Sequence, residues 1–144
     1  MIHDDTIKLL RECDAGIKMG VKSIDDVLDK THCTDLRRLL KTCKDEHLSL
    51  DRELQRQLHR YGDEGKQPNF IAEKMAQLKT ELRLGMDEQD SSIASLMTDG
   101  CNMGVKSLSR YLNQYAAADE SSKGIAKRLI SLESGLAQDM RQFL

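Results

Sequence analysis

At 144 residues the chain has the size of one ordinary domain, able to bury roughly two-thirds of the surface its unfolded form exposes, so it needs no disulfides to hold a core. Its 22 Lys and Arg against 24 Asp and Glu make a near-neutral surface of mixed sign, which excludes an electrostatic drive toward nucleic acid or anionic lipid. The polar, acidic start Met1-Ile2-His3-Asp4-Asp5 is unlike a secretion signal, and no window approaches the ~20 apolar residues of a membrane span, so the expectation is a cytoplasmic protein with no membrane partner.

The apolar period is helical along almost the whole chain, with no strand-like alternation competing. Helix one is predicted from about Asp5 to Lys30, capped by Asp4, on the stripe Ile7, Leu10, Cys13, Ile17, Val21, Ile24, Leu28. Thr31 to Thr34 is a break. Helix two follows from about Asp35 to Tyr61 on Leu36, Leu40, Cys43, His47, Leu50, Leu54, Leu58 and Tyr61, and Gly62 is placed to supply a left-handed C-terminal residue. A turn this short makes the two helices antiparallel neighbours. The polar connector Gly62 to Pro68 leads into a shorter amphipathic segment, Phe70 to Leu84, and Gly85 allows either a bend or continuation as one long helix. Helix three is predicted from about Asp87 to Ala117 on Ile93, Met97, Cys101, Gly104, Leu108, Tyr111 and Tyr115. Asp119 can cap helix four, whose stripe is Ile125, Leu129, Leu132, Leu136, Met140 and Phe143.

The two halves share a repeat. Met19-Gly20-Val21-Lys22-Ser23 returns as Met103-Gly104-Val105-Lys106-Ser107, an offset of 84, which also sets Gly16 on Gly100, Ile24 on Leu108 and Leu28 on Leu112. The chain is therefore read as one all-α domain: a hairpin over 5–61, a crossover containing a short helix over 62–86, and a second hairpin over 87–144. Two antiparallel hairpins joined by one long crossover give a four-helix bundle. This repeat, the Asp35-Leu36-Arg37-Arg38-Leu39-Leu40 start of helix two, its Arg60-Tyr61-Gly62 end and the helical crossover resemble the ferritin-like superfamily, and more narrowly a bacterial branch of it made of domains of unknown function.

That resemblance implies a di-iron or di-manganese centre, with a Glu on each of two helices and a Glu-x-x-His pair on each of the other two. The set fails here. The residue three before His47 is Lys44, helix four has no histidine, and an offset of 89 places Cys43 on Leu132 and His47 on Leu136, so the second half-site reads as hydrocarbon. The inward stripes of helices one and three carry no Glu. Iron oxidation and storage are not carried over.

A smaller core feature remains. Cys43 and His47 are spaced i,i+4 on one face of helix two, Cys13 lies on the facing stripe about one turn away, and Cys101 on helix three is a possible fourth member. Thiolate and imidazole suit zinc or ferrous iron. The blander account is that the four cysteines, which show no Cys-x-x-Cys spacing, are reduced thiols of which three lie on apolar stripes as small hydrophobes, and that the histidine is satisfied locally, with Asp51 one turn on as its natural partner. Gly16, Gly20, Gly100 and Gly104 give two accounts of the same kind: close approach of helices one and three, or a cavity for a small apolar ligand. Lys22, Lys106 and the ladder Arg52, Arg56, Arg60 read as solvated charge, and no nucleophile elbow or phosphate loop is present.

Two functions from different classes follow. The expected one is a non-catalytic bundle with no cofactor, acting as a structural, stress-related or partner-binding protein, with a symmetric homo-oligomer as the default assembly. It predicts that His47→Leu is tolerated. The alternative is a single-metal or redox protein holding zinc or iron at Cys13, Cys43, His47 and Cys101, which predicts that Cys43→Ser or His47→Leu removes the metal.

Overall fold

The computed structural model describes residues 2–66 and 89–144, and among these the regular structure is helical: α1 Ile2–Leu28, α2 Thr34–Arg60, α3 Asp90–Gln114 and α4 Glu120–Met140, followed by a 3-10 turn Arg141–Phe143. The expected segment Phe70 to Leu84 lies outside the described residues. No described helix is long and apolar enough to cross a membrane.

Helix ends follow local chemistry. α1 begins before Asp4, which therefore lies inside its first turn rather than capping it, and there Asp4 and Asp5 complement the helix dipole. α2 closes as expected on Gly62 at φ +65°, and the Gly62 N–H donates to the His59 carbonyl while the Asp63 N–H reaches the Leu58 carbonyl. That pair of bonds is the Schellman arrangement, which needs a left-handed residue where Gly62 stands. Asp119 caps α4, with Oδ1 accepting from the Ser122 N–H at 2.8 Å.

Contacts between the ends give the helix directions. The Tyr61 hydroxyl, just past α2, donates to Asp119 before α4, and the Asp119 N–H donates to Thr6 Oγ1 near the start of α1. At the opposite end, Asp90 at the start of α3 accepts from the N–H groups of His32 and Cys33 in the turn between α1 and α2. Thus α1 runs up, α2 and α3 run down, and α4 runs up. Arg60 and Asp90 therefore lie at opposite ends of the bundle, ~40 Å apart along its axis for a helix of 27 residues. Each hairpin's turn is fastened by the start of the other hairpin: Asp90 holds the first, while Asp5, accepting from Ala117, and Thr6 hold the second. Thr6 and Asp90 stand 84 apart, the offset of the pentapeptide repeat.

α1 packs on α2 and α3 on α4, α2 also meets α4, and α1 touches both α3 and α4. The interior divides into two apolar layers. One gathers Leu10, Cys13, Ile17, Leu54, Leu108 and Leu129; the other gathers Ile24, Leu40, Cys43, Cys101, Leu136 and Met140. Between them, in chain order on every helix, lie Gly20, His47, Gly104 and Glu133.

Candidate functional site

His47 is 1% exposed and occupies the α2 position between Cys43 and Leu50, so its ring enters the seam between the two layers. Nδ1 lies 2.7 Å from the carbonyl oxygen of Cys43, and a carbonyl can only accept, so Nδ1 carries a proton and donates it. The Cys43 Sγ is 3.5 Å from the same nitrogen. The other nitrogen, Nε2, meets Glu133 Oε1 at 2.9 Å. Glu133, 9% exposed, reaches inward from α4 on the stripe Ile125, Leu129, Glu133, Leu136, Met140.

Burial works against a charged ring, but the contacts with Cys43 and Glu133 outweigh it and hold the His47 pKa up at about 10. The pair is an imidazolium and a carboxylate, each ring N–H donating. Cys101 on α3 adjoins this carboxylate; burial, the Glu133 charge, a hydrogen bond to Glu133 and nearby Cys43 all push its thiol up. The missing Cβ of Gly20 makes the arrangement possible. A Cβ there would stand 2.9 Å from His47 Nε2 and 3.3 Å from Glu133 Oε1, inside normal contact with the ring. A Cβ on Gly104 would stand an ordinary 3.5 Å from Glu133 Oε2, one on Gly16 would stand 3.4 Å from Leu129, and one on Gly100 would meet nothing within 4 Å among the described residues. Of the repeated glycines, Gly20 alone is required by contact, and what it admits is the polar pair rather than the backbone of α3.

Several expectations change. Cys13 belongs to the other apolar layer, where burial, Glu12 and Asp14 push its thiol up to about 12, so it does not join Cys43, His47 and Cys101. Asp51 hydrogen-bonds Gln55, leaving His47 to Glu133. The second half-site is not hydrocarbon, because Glu133 takes the inward place given to Leu132, which is only half-buried. A helical stripe stepping on from Leu129 accepts either residue, and hydropathy selected the wrong one. The available signal was pairing: His47 was the one base on an inward stripe, and a buried base wants an acid.

The offset of 89 sets Lys44 and His47 on Glu133 and Leu136, so one Glu-x-x-His pattern is split, its histidine on α2 and its glutamate on α4. Lys44 turns outward to Asp25 at 2.6 Å. Gly20 and Gly104 line the same layer where inward carboxylates would be needed. These residues do not fit a dinuclear metal centre, and no chemistry is routed through one. Among the described residues, no group of three or more His, Cys, Asp or Glu side chains is placed to hold a metal ion.

A second polar cluster, also unforeseen, clamps the chain after α2 onto α1. Asp14, fully buried, accepts from Lys18 Nζ, Gln55 Nε2 and the Lys66 N–H; Glu12 pairs with Lys66 Nζ at 2.5 Å; Arg11 binds Asp63 through two nitrogens. Comparison of the chain with protein-family models, with curated proteins and with solved structures finds no match.

Proposed function

We propose that the chain is a cytoplasmic, non-catalytic bundle of the ferritin-like type, without the dinuclear centre of that superfamily, acting through association as a structural, stress-related or partner-binding protein. The up, down, down, up course with one long crossover supports the ferritin-like reading. One observation carries the rest: His47 and Glu133 are spent on each other at 2.9 Å, and glycines line the layer beside them. The test is ferrous ion added to the protein in air. Oxidation no faster than in buffer is the expected result, and rapid oxidation of two irons per chain would overturn the proposal.

A second reading, a single-metal or redox protein, is favoured by one specific feature. Three helices bring His47, Cys43, Cys101 and Glu133 together in or beside one layer.

A further inference from the structure

We infer that the cleft formed where the chain after α2 folds back over α1 binds a small organic anion, a monocarboxylate with an aromatic or apolar body. The site is separate from the His47–Glu133 pair and goes beyond association through the bundle's surface. The cleft measures about 300 Å³, the lower end of the range for small-molecule sites, and is lined by Lys8, Arg11 and Glu12 of α1, Gly65 and Lys66 of the returning loop, and Tyr115 just past α3.

Its walls are fixed by contacts of their own. Asp14, fully buried under the loop, accepts from the Lys66 N–H at 3.0 Å, and Gly65 sits so close to it, at φ +85°, that a Cβ there would overlap the Asp14 carboxylate. A buried charge and a left-handed glycine thus set the position of Lys66, whose Nζ meets Glu12 Oε1 at 2.5 Å. Arg11 spends Nε and Nη2 on the Asp63 carboxylate, at 3.1 and 2.6 Å, which holds the guanidinium in place. Tyr115 is stacked on Tyr111 with ring centroids 6.1 Å apart. A ligand entering here finds groups already ordered, so little of its binding energy goes into arranging them.

The chemistry left over in the cleft is that of donors. Lys8 is exposed and has no ion-pair partner among the described residues, Arg11 keeps both N–H groups of Nη1, and Lys66 keeps two of its three. The one carboxylate lining the cleft, Glu12, is taken by Lys66. Such a wall selects acceptor oxygens that carry charge. Three cations against Glu12 and Asp63 leave one positive charge, which a single carboxylate balances and a phosphate dianion exceeds. The Tyr115 ring offers a surface to the body of the ligand, and at ~30 Å³ for each water-sized unit the cleft takes about ten non-hydrogen atoms.

The experiment titrates the whole chain, labelled with nitrogen-15, with sodium benzoate, phenyl phosphate and the neutral benzamide in turn, while amide NMR spectra follow binding. Benzoate should shift the amides of Lys8, Arg11, Gly65, Lys66 and Tyr115 saturably, at a Kd of about 10 mM or lower. Benzamide should bind at least tenfold more weakly. Lys8→Ala, an exposed change that leaves the loop's contacts intact, should weaken benzoate at least tenfold, and Gly65→Ala, which pushes the loop off Asp14, should do the same. Benzamide binding as tightly as benzoate would overturn the part given to charge, and phenyl phosphate binding tenfold tighter than benzoate would overturn the monocarboxylate. Shifts that persist unchanged in Lys8→Ala, or that are absent from the folded wild type, would overturn the site itself. The ferrous-ion test of the bundle's function stands apart from all of these outcomes.

Discussion

At the scale of single residues, the interior is governed by one buried ion pair and one missing methyl group. Removing a partner leaves a charge with nothing to balance it, whereas removing both leaves a space that hydrocarbon can fill. His47→Leu alone is therefore expected to destabilise the fold by about 3–5 kcal/mol, as is Glu133→Leu alone, while His47→Leu with Glu133→Leu should be neutral or stabilising by about 1–4 kcal/mol. Urea unfolding of the four proteins as a double-mutant cycle checks this, and additive losses would refute it. The sequence led to the opposite expectation for His47→Leu because Glu133 was hidden behind Leu132. Gly20 and Gly100 make a second contrast. Gly20→Ala drives a methyl into His47 and should cost about 1–3 kcal/mol, whereas Gly100→Ala, whose Cβ would meet nothing within 4 Å among the described residues, should gain about 1 kcal/mol. The same unfolding midpoints decide; equal effects at both sites would refute the role given to Gly20.

Across whole elements, stability resides in how each hairpin holds the other's turn. Asp119 carries three duties: it caps α4, accepts from Tyr61, and donates its N–H to Thr6. Asp119→Ala keeps only the last, and a loss of about 1–2 kcal/mol is expected, most of it from the cap. Asp90→Ala should destabilise as well, by freeing the N–H groups of His32 and Cys33. Thermal unfolding measures both, and melting temperatures equal to wild type would show that these contacts are idle. The cap at Asp119 and the Gly62 terminator were legible because each acts within four residues of its own sequence. Asp90, Asp5 and Thr6 were not, since their partners lie 57 to 113 residues away. The clamp of Asp14 and Glu12 on Lys66 escaped for the same reason: on α1 those acids look like ordinary surface charge until the loop folds back over them.

For the molecule as a whole, the helices and their antiparallel pairing followed from apolar period and turn length, while the polar layer at mid-height depended on which of two neighbouring residues faced inward. That layer sets how stability varies with pH. His47 rises from 6.5 when unfolded to about 10 in the fold, so its contribution is complete below pH 6.5 and is lost as pH climbs through about 10. Cys13 shifts in the same sense, from 9.0 to about 12, so its loss begins only above pH 9.0. Asp63, held low by Arg11, has the reverse sign: its contribution is present above 3.8 and lost as pH falls. Between pH 6.5 and 9.0, then, the decline in unfolding free energy should come from the His47–Glu133 pair. Urea midpoints in that window are expected to fall with pH for the wild type and to stay level for His47→Leu with Glu133→Leu, whose core has no proton to lose there. Parallel declines in the two proteins would place the titrating group elsewhere and remove the buried imidazolium from the account of this core.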